Sequence, residues 1–554
     1  MRAAPILSMT SQDVARLLLS RRPAGLRSFS AASKLMHGQR KAPMRMTTEE
    51  AFVKTLQMHG IKNAFGIIGS AMMPISDLFP KAGIKFWDCA HECNAGMMAD
   101  GYTRTTGKMS MMIAQNGPGI TNFLTPVKTA YWNHTPLLLV TPQAANKTIG
   151  QGGFQEVEQM NMFKDCVCYQ EEVRDHTRIV EVLNRVIEKA LLCSAPAQIN
   201  IPRDYWTQVV ELPLPTGVKL ERTGGGKEST RRAAELLSEA KFPVILNGAG
   251  VILSGGTEQS VKLAERLGAP VCCNYQHNDA FPGDHPLGAE QLRSAGAGSW
   301  ERGRSARPCG EEEGQGRLGS LTGEPGPRAG RRGHHLEPSR APGSAGFYVS
   351  APGLARDHAG HAQGGHHVFG HRQQLRHCNA YPSFASPRKY LAPGLFGPCG
   401  YGFPAILGAK VGNPDVPVVG FAGDGAFGIS VNEITACGRG DWPPVTMVVF
   451  RNFQWGAEKR NTTLWYDDNF VGTELNKGVE YAEMAKACGL KGVKVQSVEQ
   501  LERALSSAIE GQMKRGETTL VEVLLNQELG EPFRRDAMKA PVQVAPINAS
   551  DMAE

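Results

Sequence analysis

Short apolar runs alternate with amphipathic stretches from residue 46 onward, a rhythm that predicts parallel strands joined by helices. Within residues 46–215, the runs 136–140 and 198–201 read as strands, and Gly117-Pro118-Gly119 opens a helix. Residues 228–292 begin a second α/β unit, with strands at 244–246 and 270–273, a turn at Asn247-Gly248-Ala249-Gly250 and a helix at 260–267. A third unit, 379–545, carries apolar runs at 416–422 and 445–450. Gly224-Gly225-Gly226 breaks the composition and reads as a linker. No run approaches the ~18 apolar residues of a membrane span, so a soluble chain with no membrane partner is expected.

Charge divides the chain further. The net charge is +7, but residues 1–45 hold nine Lys/Arg against one acid, and residues 293–378 hold twelve Arg against seven acids. The remainder is acidic, and nothing in it argues for nucleic-acid binding. Residues 1–45 are rich in Arg and Ser, with Asp13 the one acid and Val14, Leu17, Leu18 and Leu19 giving an apolar side. That describes a mitochondrial transit peptide; the alternatives are an untranslated leader before Met46 and a cytoplasmic protein. The twelve cysteines show no zinc-ligand spacing and read as reduced core residues.

The chemistry concentrates at the ends of the two apolar runs in the third unit. Gly423-Asp424-Gly425 follows one, and Asn452 follows the other. Two adjacent parallel strands would deliver both to their carboxyl ends, where open α/β sheets bind ligands. A carboxylate and an amide carbonyl suit Mg²⁺ bridged to a diphosphate, and the glycines admit a phosphate close to the backbone. This is the pattern of the thiamine diphosphate (ThDP) binding fold; the plain alternative is a Gly-rich turn and an unrelated Asn. ThDP needs a carboxylate at its pyrimidine ring. Glu92, between a strand-like run and a small-residue helix, is the candidate, its acidity expected to be weakened by burial.

Longer stretches carry a more specific resemblance. They include Ala90-His91-Glu92-Cys93-Asn94-Ala95-Gly96, Gln115-Asn116-Gly117-Pro118-Gly119, Phe396-Gly397-Pro398-Cys399-Gly400-Tyr401-Gly402 and Pro532-Phe533-Arg534-Arg535-Asp536-Ala537-Met538-Lys539. Over residues 46–288 and 379–545 the chain resembles the sulfoacetaldehyde acetyltransferases, relatives of acetolactate synthase. The resemblance implies an α/β ThDP-binding fold, two doubly wound parallel-sheet domains flanking a truncated middle α/β domain. It implies a ThDP- and Mg²⁺-dependent acyltransferase of sulfonate (taurine) catabolism, turning sulfoacetaldehyde and phosphate into acetyl phosphate and sulfite. Glu92 is then catalytic. Gly423, Asp424, Gly425, Ala426, Asn452, Gln454, Gly456, Cys399 and Gly400 bind the cofactor, with Asp424, Asn452 and Gln454 on the metal. Asn116, Gln155, Arg534 and Arg535 are substrate-side candidates, the two arginines equally readable as a solvated tail. A homodimer or homotetramer is implied, with Glu92 and Asp424 meeting across subunits.

Residues 293–378 break the pattern. They contain no Lys, few aliphatics and eight of the fifteen His. A disordered linker, a His-rich metal segment and an out-of-frame translation compete. Codons permitted for residues 361–377, read one base later, encode Met-Pro-Lys-Glu-Ala-Ile-Met-Ser-Ser-Asp-Ile-Gly-Asn-Asn-Cys-Ala, similar to what the family carries before Asn379. A frameshift is therefore the expectation. In relatives, the segment after such a Ser-Asp-Ile-Gly strand end anchors the diphosphate; here Gly370-His371-Arg372-Gln373-Gln374 replaces it. Another acetolactate synthase-type reaction, or an inactive pseudoenzyme, remain the rival readings.

Overall fold

The computed structural model of the chain describes residues 42–217, 224–274, 276–288 and 384–527, together with the backbone of 366–369. The proposed leader, most of the anomalous segment, and Arg534 and Arg535 lie outside the described residues. Two antiparallel strands, β1 (Met44–Thr47) and β8 (Val209–Leu212), pair where the N-terminal unit begins and ends. Helix α1 (Thr48–Met58) follows β1 and starts on a capping box between Thr47 and Glu50.

Between them lie β2 (Asn63–Gly66), β3 (Lys85–Asp88), β4 (Met111–Ile113), β5 (Leu138–Gln143), β6 (Tyr169–Glu172) and β7 (Ala197–Pro202). They form a parallel sheet in the order β3-β2-β4-β5-β7-β6. Every residue of β4, β5 and β7 is buried, as a parallel sheet covered on both faces requires. Helix α2 (Glu92–Thr106) follows β3, and α3 (Ile179–Cys193) packs on β6 and β7.

The second large sheet contains β11 (His366–Phe369), β12 (Tyr390–Leu391), β13 (Val418–Gly423), β14 (Thr446–Arg451), β15 (Lys491–Val495) and β16 (Thr519–Leu524). Its order is β12-β11-β13-β14-β16-β15, all parallel. In both sheets the chain first moves one way and then the other. The reversals fall between β2 and β4 and between β11 and β13, the crevices where α/β sheets take ligands. β11 lies inside the segment read as out of frame.

Helix α6 (Gly402–Gly412) runs against α2 and joins the sheets. A side chain at Gly101 would collide with the Ala405 carbonyl, and one at Gly408 with the Met98 carbonyl, so these backbones meet only as glycines. Beside them a buried network closes the seam. Tyr401 donates to Asp100 at 2.5 Å, and Arg104 donates to Tyr401 at 3.0 Å and to the Ala392 carbonyl at 2.7 Å. One apolar cluster, including Phe65, Trp87, Phe403 and Phe427, spans both sheets.

The middle unit is small. It holds α4 (Lys227–Glu239), β9 (Ile245–Asn247), α5 (Thr257–Leu267) and β10 (Val271–Cys273), with β9 and β10 as a two-stranded parallel sheet. Gly226, the last of the three glycines, is the extended N-cap from which α4 starts. Nothing on α4 is buried, and Leu236, Phe242 and Leu246 are exposed. The expectation that the cysteines are core residues fails at Cys193, which is exposed at the end of α3. Among the described residues no helix is long and apolar enough to cross a membrane.

Candidate active site

β13 and β14 lie side by side, Gly423 opposite Phe450, so their carboxyl ends open on the same crevice. Asp424 is the first residue of α7 (Asp424–Ser430), and Gly423 caps that helix in an extended conformation. Burial pushes the Asp424 carboxyl up, and two main-chain donors oppose the shift: Phe453 N at 2.7 Å and Gly425 N at 3.1 Å. The Phe453 amide reaches Asp424 with Phe453 at φ 60°, a left-handed conformation costly for a non-glycine residue. Asn452 is half-buried. Gln454 is 3% exposed; its Nε2 donates to the Gln527 carbonyl at 3.0 Å, and its Oε1 is buried without a partner.

One carboxylate and two amide side chains thus meet at the strand ends, one amide oxygen orphaned. Hard oxygen donors with spare lone pairs fit Mg²⁺, and among the described residues no cluster of His, Cys, Asp and Glu offers a competing site. Glycines let the surrounding side chains pack tightly against the backbone here. A Cβ on Gly425 would sit 2.9 Å from the Trp455 ring. Gly400, at φ +89°, packs so near Ile429 of α7 that a Cβ would come within 2.9 Å of its Cγ2. Cys399 packs half-buried on the core cluster that contains Ala426, and Gly456 is the buried start of α9 (Gly456–Trp465). All nine cofactor-side candidates therefore gather around α7 and the end of β14.

The N-terminal sheet builds a second group. Glu92 is itself the first residue of α2, one position earlier than a helix starting after it; His91 is the extended N-cap, its Nδ1 accepting from Cys93 N at 3.1 Å. Glu92 is 8% exposed, and its Oε2 accepts from Asn122 Nδ2 at 2.9 Å. Gly119 lies against the other oxygen, where a Cβ would come within 3.1 Å of Oε1. Asn116 and Gln155 are in contact: Asn116 Nδ2 donates to the Gln155 carbonyl at 3.1 Å. Gln115 Nε2 donates to Gln155 Oε1 at 2.7 Å and to Asn116 Oδ1 at 2.8 Å. Gln155 holds φ 57°, a left-handed conformation that, like that of Phe453, is costly for a non-glycine residue.

Within one chain the two groups touch through α7. That helix leads from Asp424 to Asn432 and to Glu433 at the start of α8 (Glu433–Gly438). Asn94 Nδ2 donates to Asn432 Oδ1 at 3.2 Å and to Glu433 Oε1 at 2.8 Å. The Glu92 turn thus lies against the segment just past α7, a helix about 10 Å long at 1.5 Å per residue that begins at Asp424. Glu433 is fully buried, and burial pushes its carboxyl up to about 7 against the bonds from Asn94, Ala90 and His91. The sequence holds no local sign of it, since its hydrogen-bond donors lie more than 330 residues away.

Comparison with known proteins follows the same division. Residues 46–162 match the family model "Thiamine pyrophosphate enzyme, N-terminal TPP binding domain", residues 230–302 the central domain and residues 374–523 the C-terminal TPP binding domain. The chain is 58% identical to the sulfoacetaldehyde acetyltransferase of Roseovarius nubinhibens, over 92% of this chain and 98% of that protein. It is 36% identical to the sulfoacetaldehyde acetyltransferase of Alcaligenes xylosoxydans, over 90% and 96%, and 26% identical to the acetolactate synthase of Arthrospira platensis, over 86% and 94%. The Roseovarius alignment spans 590 positions, more than the 554 residues of this chain, so it carries gaps against the chain. A Rhodococcus jostii thiamine diphosphate-dependent 4-hydroxybenzoylformate decarboxylase shares the fold, with a TM-score of 0.72 at 20% identity over 88% of this chain and 100% of that one.

Proposed function

The chain belongs to the sulfoacetaldehyde acetyltransferases among the thiamine pyrophosphate enzymes, and from that premise we propose that it converts sulfoacetaldehyde and phosphate to acetyl phosphate and sulfite, using ThDP and Mg²⁺. Likeness to enzymes of that name along nearly the whole chain carries the choice of substrate. Bound ThDP supplies carbanion chemistry at the aldehyde carbon. Asp424, Asn452 and Gln454 hold the metal, and with it the diphosphate, at the ends of β13 and β14. Gly425 and Gly400 let Trp455 and Ile429 pack close to the backbone beside the cofactor, and Cys399 lines it. Glu92 exchanges a proton with the pyrimidine ring: Asn122 fixes one of its oxygens, and the other, beside Gly119, is available. Asn116 and Gln155, braced by Gln115, offer amides to the substrate. Arg534 and Arg535 meet the sulfonate or phosphate, both anionic.

Subunits complete the site in this reading. Asp424 and the Glu92 turn lie at opposite ends of α7 in one chain, and Ile68, Phe154, Leu395 and Ile429, near the two groups, are exposed. A homodimer or tetramer that covers them and brings one chain's Glu92 to another's Asp424 accounts for both. Residues 1–45 act as a mitochondrial transit peptide, testable by import and N-terminal sequencing of the mature protein. Residues 293–378 are out of frame, and the activity belongs to the frame-restored protein; the alignment gaps and the exposed face of the middle unit favour this. The deciding experiment offers the enzyme sulfoacetaldehyde and pyruvate separately. Sulfite release from the first supports the reading, and acetolactate formation from the second alone overturns it.

A further inference from the structure

Glu433 occupies a position that the cofactor contacts do not explain. Its Oε1 accepts from His91 N at 3.1 Å, Ala90 N at 3.2 Å and Asn94 Nδ2 at 2.8 Å, and its Oε2 accepts from Ala90 N at 3.1 Å. These donors flank Glu92 on both sides. Among the described residues, Ala90 N and His91 N have no other acceptor. The same helix and the turn after it grip the preceding strand end: Arg439 pairs with the Asp88 carboxylate, and Trp442 Nε1 donates to the Asp88 carbonyl at 3.1 Å. Trp442 also packs on Trp87, ring centroids 4.9 Å apart. The connection from Asp88 to Asn94 is therefore held by the C-terminal unit, and Glu433 is its one buried carboxylate anchor.

We propose that Glu433 is a positioning residue for Glu92: it clamps the Ala90–His91 turn so that the Glu92 carboxyl meets the cofactor's pyrimidine ring at the productive angle. This rests on the role given to Glu92 above. A carboxylate suits the task because it is acceptor-only when ionised, with lone pairs enough for three donors at once. Cys89 and Cys93 face it from the turn, and Cys437 and Arg439 from its own helix; Arg439 is the one cation among them. Without Glu433, two buried N–H groups lose their acceptors, and the turn must shift to find others. Such shifts, even of an ångström, cost catalysis far more than binding.

The test reads the cofactor directly. In holoenzyme saturated with ThDP and Mg²⁺, exchange of the thiazolium C2 proton with deuterium is followed by ¹H NMR after acid quench. ThDP affinity is measured in parallel by tryptophan fluorescence. Glu433→Ala is expected to slow exchange roughly ten- to a hundredfold while ThDP affinity changes little. Glu433→Gln, which keeps an acceptor oxygen in place, recovers most of that loss, and Glu433→Asp, drawn back by one methylene, does not. Glu92→Gln slows exchange at least as much, and the double variant Glu92→Gln/Glu433→Ala is no slower than Glu92→Gln alone, as for residues that act as a unit. Parent-like exchange in folded Glu433→Ala, or losses that multiply in the double variant, overturns the proposal. If Glu433→Ala does not fold, Glu433→Asp decides, with parent-like exchange again the overturning result. Parent-like exchange in Glu92→Gln instead overturns the reading of Glu92 beneath it.

Discussion

The buried ion pair behind the metal-side turn gives the sharpest stability prediction. Arg451 ends β14, one residue before Asn452, and its Nη1 lies 2.5 Å from Glu522 Oε1. The two side chains are 2% and 0% exposed. Arg451 also donates to the Lys477 carbonyl at 2.7 Å, and Glu522 accepts from Ala482 N at 2.9 Å. Arg451→Met removes one partner and strands a carboxylate in the core, a change that costs about 3–5 kcal/mol. On a domain of this size that lowers the melting temperature by roughly 6–20 °C. Replacing both, Arg451→Met with Glu522→Leu, restores most of the loss, because the expense lies in the unpaired charge rather than in the missing pair. Differential scanning calorimetry of the three variants measures both steps. A single variant within about 1 kcal/mol of the parent, or a double variant worse than the single, would show that the unpaired charge is not the source of the cost.

Other variants probe the remaining parts. Asp424→Asn keeps the fold but should lose the rise in melting temperature that ThDP with Mg²⁺ gives the parent, about 3 kcal/mol at a hundredfold excess over Kd; an undiminished rise would remove Asp424 from the metal. Glu433 binds its proton more tightly folded than unfolded, since burial raises its carboxyl to about 7. Its ionisation therefore erodes stability as pH rises from the ordinary carboxylate range through about 7, and Glu433→Gln should gain on the parent by about 3 kcal/mol between pH 5 and 8, read from urea midpoints. Gly408→Ala should separate the two sheets' packing, because its Cβ would collide with the Met98 carbonyl; a melting temperature unchanged from the parent would contradict that close approach. Sequencing the transcript across codons 289–380 should return the Ser-Asp-Ile-Gly segment, and the chain as written should bind the apolar dye ANS through exposed Leu236, Phe242 and Leu246 more than the frame-restored protein does.

Local pattern was enough where chemistry and strand ends coincide. The runs before Asp424 and Asn452 are largely apolar and almost entirely buried because parallel strands are covered on both faces, with Thr446 and Arg451 the polar exceptions in β14. Glu92 was legible as a junction residue, although the helix begins at Glu92 itself rather than after it. Long-range partners were not legible. Nothing near Glu433 in sequence announces donors at Ala90 and His91, and nothing near Asp100 announces Tyr401. The contact between Asn116 and Gln155 likewise depends on a strained loop, Gln155 at φ 57°, that no residue preference predicts. In the middle unit the expected strand formed, one residue later than the apolar run, but Leu246 within it is exposed.

Phosphate-dependent cleavage with ThDP and Mg²⁺ is read out by a product balance. The protein encoded by the sequenced transcript is incubated with sulfoacetaldehyde, phosphate, ThDP and Mg²⁺; acetyl phosphate is followed by ³¹P NMR and sulfite by thiol exchange. Equal amounts of the two products are expected, none without phosphate, and none from Glu92→Gln. Sulfite released at full rate without phosphate, or no sulfite from an enzyme that binds ThDP, would contradict that expectation.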